Sequence, residues 1–501
     1  MNNHIFDNLL VLDLANNHFG DVTHAAKIIS QFSKIIQKKK LKATIKFQFR
    51  NLEKFIHKDY INSDEKYVKR FLSTKLSNDN FKKLFNLIKK NNLLTSCTPF
   101  DEDSVTLIEK MRFDIIKIAS VSSLDFNLLE RVSKNNIPKI ISTGGKTLQD
   151  IDKIVSFFKR KKQTFALMHC VAVYPSKNEI LQIRFINELK DRYKDITIGW
   201  STHEKPGEFM PASLAYACGA RIFEKHIGIE SKKYKLNEYS INPNLFEKWH
   251  NHLEESITIL GDRKKFISQT EIETLNKLQR GVYLKKNIKA EQFLDKNNCY
   301  FAFPLQKNQL SPVDLKDRTI LIKNKKKNDL VLKKDIKFDK ELAREYKIKS
   351  YIHELKAILN YNKITIQESF DMEISHHEGI DKFKKVGAFL FNIINKNYAK
   401  KMIVMLPNQS HPMHFHKKKD ESFHILSGSL ISSINRKKQY LYPGQILHIS
   451  KNSWHKFKAG KKGCIFDEVS TMSFKDDSFY KDKKIKKLTR DTRKTFVNNW
   501  Y

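Results

Sequence analysis

The stretch Ile198–Gly228, IGWSTHEKPGEFMPASLAYACGARIFEKHIG, contains the pattern that decides the fold. It predicts a strand ending at Ser201-Thr202-His203, then a loop, a helix and a second strand carrying Glu224-Lys225-His226. Because side chains two residues apart share one face of a strand, Glu224 and His226 should point the same way. Two histidines at the ends of neighbouring parallel strands, beside a carboxylate, suit a divalent metal. The alternative is that both are polar rim residues of an ordinary α/β sheet.

Short β-rich runs alternate with amphipathic helical runs from Leu9 to about Leu260. Strict alternation of strands and helices predicts a parallel sheet, and eight such units predict a (β/α)8 TIM barrel. The predicted strands are 9–15, 43–49, 93–99, 114–120, 138–144, 165–171, 197–202 and 220–227.

Polar side chains gather at the C-terminal ends of these strands, where the active site of such a barrel lies. They are Asp13, Asn17, His18, Lys46, Gln48, Thr98, Lys117, Ser120, Ser142, Thr143, His169, His203, Glu224 and His226. A barrel with a purely structural role would not need so many polar groups at one end. Lysines and hydroxyls together suit a phosphorylated, carboxylated substrate.

The formal net charge of +38 over 501 residues raises the question of nucleic-acid binding. Lysine runs recur along the whole chain, for example at 38–40 and 417–419, so we expect solvated faces and no nucleic-acid partner. No apolar run approaches the ~20 residues of a membrane span, so we expect no membrane partner. The five cysteines are scattered without a CxxC pattern, which favours a reducing, cytoplasmic location.

Eight motifs, in order, resemble those of the N-acetylneuraminate (sialic acid) synthase family. They are LDLANNHFGD, IKFQ, TPFD, IIKIAS, ISTGG, LMHCVAVYP, STH and FEKH, and they cover residues 9–260. The resemblance implies a barrel that condenses phosphoenolpyruvate with an N-acylated hexosamine. The product would be a nonulosonic acid, a nine-carbon keto sugar acid used for surface glycans, with release of phosphate.

The resemblance also implies roles for residues of this chain. Phosphoenolpyruvate would be held by Lys46, Thr98, Lys117, Ser120, Ser142 and Ser201. Mn2+ or Mg2+ would be held by His203 and His226, and the sugar would contact Tyr174. We add Asn17 and Gln48 to the substrate-binding set, and Asp13 and Glu224 as catalytic carboxylates.

The chain departs from the family pattern around the acceptor and the base. Asp13 stands where the family has glutamate, and Ser122 where it usually has a catalytic glutamate. Leu236 and Asn237 stand near a sugar-binding aspartate, and Phe303 replaces an arginine before proline. Either the acceptor differs and Glu224 or Asp13 takes over proton transfer, or catalysis is weakened.

Two further domains are expected after the barrel domain, residues 1–265. Residues 269–338 resemble the small, β-rich antifreeze-like domain of these synthases, which reaches across a homodimer in that family. Residues 339–382 are predicted as a connector, a helix followed by a strand with its loop, in which the pair His376-His377 is expected to be exposed.

The run HPMHFHKKKDESFHILSGSL, followed by SWHKF, predicts a second metal site. His414 and His416 share one strand face, Glu421 follows five residues later, and His455 comes from a later strand. These residues resemble the two cupin motifs, which implies a β jelly-roll over 383–480. The set suits Mn, Fe, Ni or Zn; a metal-free sugar-binding cupin is the alternative. The tail 481–501 and the residues just before it are predicted as a surface helix.

The sequence therefore predicts a phosphoenolpyruvate-dependent synthase with a homodimeric assembly. One alternative is a non-catalytic sugar- or metabolite-binding protein on a synthase scaffold. The other is a related condensation with a different aldehyde.

Overall fold

The computed structural model describes residues 3–262, 265–367, 370–498 and 500. The chain forms two compact units, Met1–Lys265 and Phe266–Tyr501.

The first unit is built on a closed barrel of eight parallel strands in sequence order, as predicted. The strands are β1 (Leu9–Asp13), β2 (Ala43–Phe49), β3 (Leu94–Pro99), β4 (Ile115–Ile118), β5 (Lys139–Ser142), β6 (Phe165–Cys170), β7 (Thr197–Ser201) and β8 (Ile222–His226). The predicted strands overlap all eight.

The described residues of the same unit form ten α-helices. They are α1 (Val22–Lys38), α2 (Leu52–Phe55), α3 (Lys66–Ser73), α4 (Asn78–Lys90), α5 (Glu102–Met111), α6 (Phe126–Val132), α7 (Leu148–Arg160), α8 (Phe185–Arg192), α9 (Met210–Ala217) and α10 (Pro243–Leu260). Side-chain caps fix where several begin: Asp21, Ser77 and Asp101 accept hydrogen bonds from the first-turn backbone N–H groups of α1, α4 and α5. The two short helices α2 and α3 form an insertion between β2 and α4.

Alternation along each strand divides the barrel residues between two cores. Leu9, Val11 and Ile222 point inward and pack with residues of other strands in the barrel interior. Leu10 and Phe223 point outward and pack in the larger core beneath the helices. The inward positions above the interior core therefore present Asp13, Glu224 and His226 at the C-terminal end of the strands, which we call the barrel mouth.

The second unit begins with α11 (Gln269–Lys277) and a small β-rich region. Its strands are β9 (Gly281–Leu284), β10 (Phe293–Leu294), β11 (Cys299–Ala302), β12 (Thr319–Leu321) and β13 (Ile336–Phe338). They form a three-stranded sheet, β10-β12-β13, and a β9–β11 pair around a core that includes Val282, Leu294 and Leu321. The β-rich character matches the expectation; the antifreeze-like role and the finer domain boundaries stay predictions.

The long helix α12 (Lys340–Tyr361) precedes a ten-stranded sheet. The strands are β14 (Met372–Ser375), β15 (Ala388–Asn395), β16 (Tyr398–Met405), β17 (Ser410–Phe415), β18 (Glu421–Ile434), β19 (Lys437–Leu441), β20 (Ile446–Ile449), β21 (His455–Thr471), β22 (Phe479–Tyr480) and β23 (Lys494–Val497). Two short helices, α13 (Lys483–Lys486) and α14 (Arg490–Arg493), lie before the last strand.

Two predictions for this region were wrong. The tail is not one surface helix, because β23 pairs antiparallel with β14 and so completes the sheet. His376 and His377 are 3% and 1% exposed, not in a solvated loop. The sheet edge made by the tail accounts for part of this burial, since the His376 imidazole Nε2 lies 2.9 Å from the Thr495 hydroxyl on β23.

Candidate active site and metal centres

A chain of buried ion pairs crosses the barrel mouth. Lys46 Nζ lies 2.9 Å from Asp13 Oδ2 and 2.6 Å from Glu224 Oε1. Lys117 Nζ lies 2.7 Å from the other Glu224 oxygen and donates to Ser142 Oγ, also at 2.7 Å. The strand register creates this arrangement, because Asp13 is paired with Lys46 on β2 and with His226 on β8. Two buried lysines thus face each other across one buried carboxylate.

The charged side chains of these ion pairs determine one another's protonation states. Burial by itself would raise the pKa of Glu224, but the Lys117 and Lys46 charges outweigh it and hold that pKa well below its usual range. Burial also opposes the charge on Lys46, yet Asp13 and Glu224 raise its pKa. For Lys117 burial prevails, and its pKa is lowered. Glu224 is therefore an anion held by two cations, and a weak base in this state.

The predicted hydroxyl groups line the same mouth. Thr98, Ser142 and Ser201 are buried, and the Thr98 hydroxyl has no hydrogen-bond partner among the residues that the structure describes. Ser120 Oγ accepts from the Gly144 backbone N–H at 3.0 Å. A buried hydroxyl without a partner is costly, so Thr98 is placed to bind a ligand oxygen.

His203 and His226 come together at the mouth, with ring centroids 5.4 Å apart. Burial lowers the pKa of His203 to about 3 and also lowers the pKa of His226, so both are neutral near pH 7. The His203 Nδ1 is 2.9 Å from the Val171 carbonyl, which leaves Nε2 for a ligand. His226 Nδ1 is buried, lies 3.5 Å from Asp13, and has no hydrogen-bond partner in the described part of the chain. Neutral imidazoles with unused nitrogens fit a divalent metal.

The second histidine cluster lies in the jelly-roll. Ligand atoms of His414, His416 and His455 all lie within 4.8 Å of one another. Glu421 joins them, with its oxygens 3.4 Å from His416 Nε2 and 3.2 Å from His455 Nε2. Apart from this contact with each other, His455 Nε2 and Glu421 Oε2 have no hydrogen-bond partner among the described residues, although both are buried. The four residues predicted from the sequence therefore converge.

Backbone carbonyls orient these imidazoles. The Nδ1 atoms of His414 and His455 lie 3.0 Å from the Pro412 carbonyl and 2.9 Å from the Ser453 carbonyl, and His416 Nδ1 contacts the Asp477 carbonyl. Nδ1–H donation to a carbonyl leaves Nε2 as the free lone pair, which is the arrangement metal-binding histidines adopt. The residues present fit a transition metal, and its identity is open among Mn, Fe, Ni and Zn.

Comparison with known proteins identifies the barrel. Residues 36–265 match the NeuB family model, and residues 401–466 match the cupin domain model. A solved structure from Chromobacterium violaceum, named for spore coat polysaccharide biosynthesis protein E, is 37% identical with a TM-score of 0.64; the match covers 66% of this chain and 99% of that one. The chain belongs to the NeuB family.

Two curated relatives of this NeuB-family chain are named as synthases. The N-acetylneuraminate-9-phosphate synthase of Drosophila melanogaster is 30% identical over 47% of this chain and 64% of its own length. The N,N'-diacetyllegionaminic acid synthase of Campylobacter jejuni is 24% identical over 64% of this chain and 98% of its own length. The match to the cupin model agrees with the predicted jelly-roll.

Three predicted substrate residues of the NeuB barrel have other contacts. The Asn17 amide nitrogen donates to the Ile227 carbonyl at 2.8 Å, and its oxygen accepts from Asn237 at 3.1 Å, so Asn17 braces two loops. Gln48 donates to Asp13 at 3.2 Å. The Tyr174 ring lies 4.2 Å from that of His203 but is 52% exposed, and so remains open to a ligand.

Three residues near the two sites were not predicted. Tyr239 lies 5.1 Å from the His226 ring centroid, in a segment with no motif to indicate it. Arg50 follows Lys46 and Gln48 with the same two-residue spacing, so the period of β2 would have indicated it. His411, in HPMHFH, lies 4.7 Å from His414 between ring centroids, and its own spacing from His414 is not that of one strand face.

Among the described residues, no helix has the length and apolar character required to cross a bilayer.

Proposed function

We propose that the barrel condenses phosphoenolpyruvate with an N-acylated hexosamine to give a nonulosonic acid and phosphate, for the synthesis of surface glycans. The observation that carries this proposal is that Lys46 and Lys117 both contact the Glu224 carboxylate. The Thr98 hydroxyl at the same barrel mouth has no hydrogen-bond partner among the described residues. Cations and hydroxyl donors in a buried site recognise phosphate and carboxylate groups. Membership of the NeuB family supports the same reaction class.

The reaction balances as an addition of water and loss of phosphate. Carbon 3 of phosphoenolpyruvate bonds to the aldehyde carbon, and the aldehyde oxygen gains a proton. Water adds to carbon 2 and loses a proton. The bond from carbon 2 to the phosphate oxygen then breaks, the remaining hydroxyl proton passes to the released phosphate or to solvent, and carbon 2 becomes the keto carbonyl. Asp13 and Glu224 are the proposed proton carriers. Asp13 is the better placed of the two, since one lysine holds it whereas two hold Glu224.

His203 and His226 would hold the barrel's Mn2+ or Mg2+. When bound there, the metal supplies a Lewis acid for the acceptor aldehyde. The neighbouring Tyr174 ring, 52% exposed, is proposed to position the sugar. Asp13, 3.5 Å from His226, orients that imidazole.

The cupin is proposed to hold its own transition metal through His414, His416, Glu421 and His455. We further propose that the enzyme is a homodimer and acts in the cytoplasm. Buried free thiols agree with a reducing compartment, and Cys97, Cys170, Cys299 and Cys464 are all buried and free.

A non-catalytic sugar-binding function is the second candidate, and one observation favours it. Ser122 is buried in the turn after β4 and offers a hydroxyl where a base would be useful. The two carboxylates described above at the mouth are both paired with lysines.

Phosphate release separates the candidates. The full-length protein should release phosphate from phosphoenolpyruvate only when an N-acyl hexosamine and Mn2+ are both present. Phosphoenolpyruvate binding without release, across neutral and acidic N-acyl hexosamines, would support the non-catalytic candidate. Release with an unrelated aldehyde alone would support a related condensation.

A further inference from the structure

A polar cavity of about 390 Å3 adjoins the barrel mouth on the side of β1, β2 and β3. Residues that follow these strands line it, among them Asn16, His18, Arg50 and Ser104, together with Ser77 and Asn78 at the start of α4. Gln48 connects the cavity to the buried ion pairs of the barrel mouth, because it lines the cavity and also donates to Asp13 at 3.2 Å. The volume lies in the range of small-molecule sites. A substrate at the mouth can therefore extend into this space.

Arg50 is the residue of the cavity that is poised for a ligand. Its guanidinium carbon lies 3.6 Å from the Phe100 ring centroid and 4.3 Å from that of Phe71, so two aromatic rings pack against the group. One Nη atom donates to Gln48 Oε1 at 3.2 Å, and the Nε atom is buried without a hydrogen-bond partner among the described residues. A guanidinium makes its hydrogen bonds at its edge, and its planar fork of donors fits a carboxylate or a phosphate.

The charges around Arg50 favour the binding of an anion. Lys75 of the cavity lies 4.0 Å from Glu53, and Asp103 lies 2.6 Å from Lys54, so the other charges of the lining are paired. Within the described part of the chain, no carboxylate lies within 4.0 Å of Arg50. Burial lowers the pKa of Arg50 to about 10, more than Asp13 and Asp101 raise it. The Arg50 guanidinium has therefore lost hydration on burial, and no paired carboxylate compensates for that loss.

Apart from Lys75, which is paired with Glu53, the other donors of the cavity are neutral. Burial, with a smaller contribution from His24, lowers the pKa of His18 to about 4, so its imidazole carries no charge near pH 7. The His18 Nδ1 accepts from the Gly20 N–H at 3.1 Å, which places the proton on Nε2 and makes that atom a donor. The first turn of α4 adds a favourable potential for negative charge.

We infer that Arg50 binds an acidic group, phosphate or carboxylate, carried by the acceptor sugar at the end away from its aldehyde. This inference rests on the proposed function, because it names the acceptor class of the same site. Phosphoenolpyruvate brings negative charge to Lys46 and Lys117, and an acidic acceptor would add more. The guanidinium of Arg50 offsets that repulsion, which the neutral donors of the cavity do not.

The test compares three acceptors with the full-length protein, Mn2+ and saturating phosphoenolpyruvate: an N-acetylhexosamine, its 6-phosphate and the corresponding 6-carboxylate. An acidic acceptor should have a kcat/KM at least tenfold above that of the neutral sugar, and the better of the two identifies the acid. Arg50→Met should remove the preference by raising KM for the acidic acceptor, and Arg50→Lys should restore part of it. Lys69→Met, on the exposed face of the same insertion, is the matched control and should keep the preference.

Equal kcat/KM for neutral and acidic acceptors, or a preference that survives Arg50→Met, would overturn the inference while leaving the synthase function intact. A failure of the synthase function is seen separately, as no phosphate release with any acceptor. In that case calorimetry with the sugar 6-phosphate and 6-carboxylate still decides: Arg50-dependent binding of one of them supports the inference, and its absence overturns it. Thermal unfolding of each variant distinguishes lost binding from a lost brace between Phe71 and Phe100.

Discussion

At the scale of single residues, the two mouth lysines should act as anion-binding groups. Lys46→Ala or Lys117→Ala removes one charge-assisted contact, so phosphoenolpyruvate affinity should fall by about 1.5–3 kcal/mol, or about ten- to a hundredfold. Calorimetry on the full-length protein measures this directly. Lys153→Ala, an exposed residue of α7, is the control and should change nothing. Unchanged affinity in both mouth variants would show that phosphoenolpyruvate binds elsewhere.

Glu224 should give the opposite result. Both lysines face its carboxylate, at 2.6 and 2.7 Å, so it competes with the anionic groups of a substrate. Glu224→Gln keeps the shape but removes the charge, and phosphoenolpyruvate should then bind several-fold more tightly while the condensation slows. The same calorimetry, followed by phosphate release, checks both directions. Weaker binding by Glu224→Gln would mean that the carboxylate contributes to the substrate site more than it competes with it.

Individual residues also show which features of the site could be predicted from the sequence. Lys46, Lys117, Glu224 and both histidine sets were predictable because strand periodicity places them on inward positions. Contacts with partners distant in sequence were not. Asn17 was predicted to bind substrate, yet its amide contacts a carbonyl 210 residues away. The guanidinium of Arg50 is defined by Phe100 and Phe71, neither of which its own strand identifies.

At the scale of elements, the last strand should stabilise the jelly-roll. Trp500 follows β23, is 4% exposed and packs 4.9 Å from the Phe391 ring centroid, and its indole N–H donates to the Phe370 carbonyl at 3.2 Å. Trp500→Ala should lower the free energy of unfolding of this unit by about 3–5 kcal/mol. Phe496 lies on β23 itself and is 49% exposed, so Phe496→Ala should lower the free energy of unfolding by only about 0.5 kcal/mol. Scanning calorimetry measures the stability of both variants. Equal losses in the free energy of unfolding would mean that β23 does not close the core.

The same strand explains where prediction from the sequence failed. The barrel strands were predictable because each βα unit repeats a local pattern. The tail KDDSFYKDKKIKKLTRDTRKTF has no such pattern, and its lysines favour solvent. Its strand exists because Lys494–Val497 pairs with Met372–Ser375, more than a hundred residues earlier. That pairing contributes to the burial of His376, which lies against Thr495, whereas the local sequence alone indicates an exposed pair His376-His377.

At the scale of the whole molecule, the chain should hold two metal ions at chemically separate sites. The barrel ligands His203 and His226 belong to the first compact unit, and the cupin ligands to the second. After reconstitution with Mn2+, elemental analysis should give about two ions per full-length chain. His414→Ala with His416→Ala should remove one ion and leave the barrel metal in place.

The complementary double variant completes this experiment. His203→Ala with His226→Ala should also lose one ion, but it should lose the condensation with it, because the Lewis acid for the aldehyde is gone. His448→Ala, an exposed histidine of β20, controls for the loss of any imidazole and should retain both ions. If the cupin variant also lost the barrel metal, the two sites would be energetically coupled. A wild-type stoichiometry of one, abolished only by the barrel variant, would leave the jelly-roll as a metal-free sugar-binding domain.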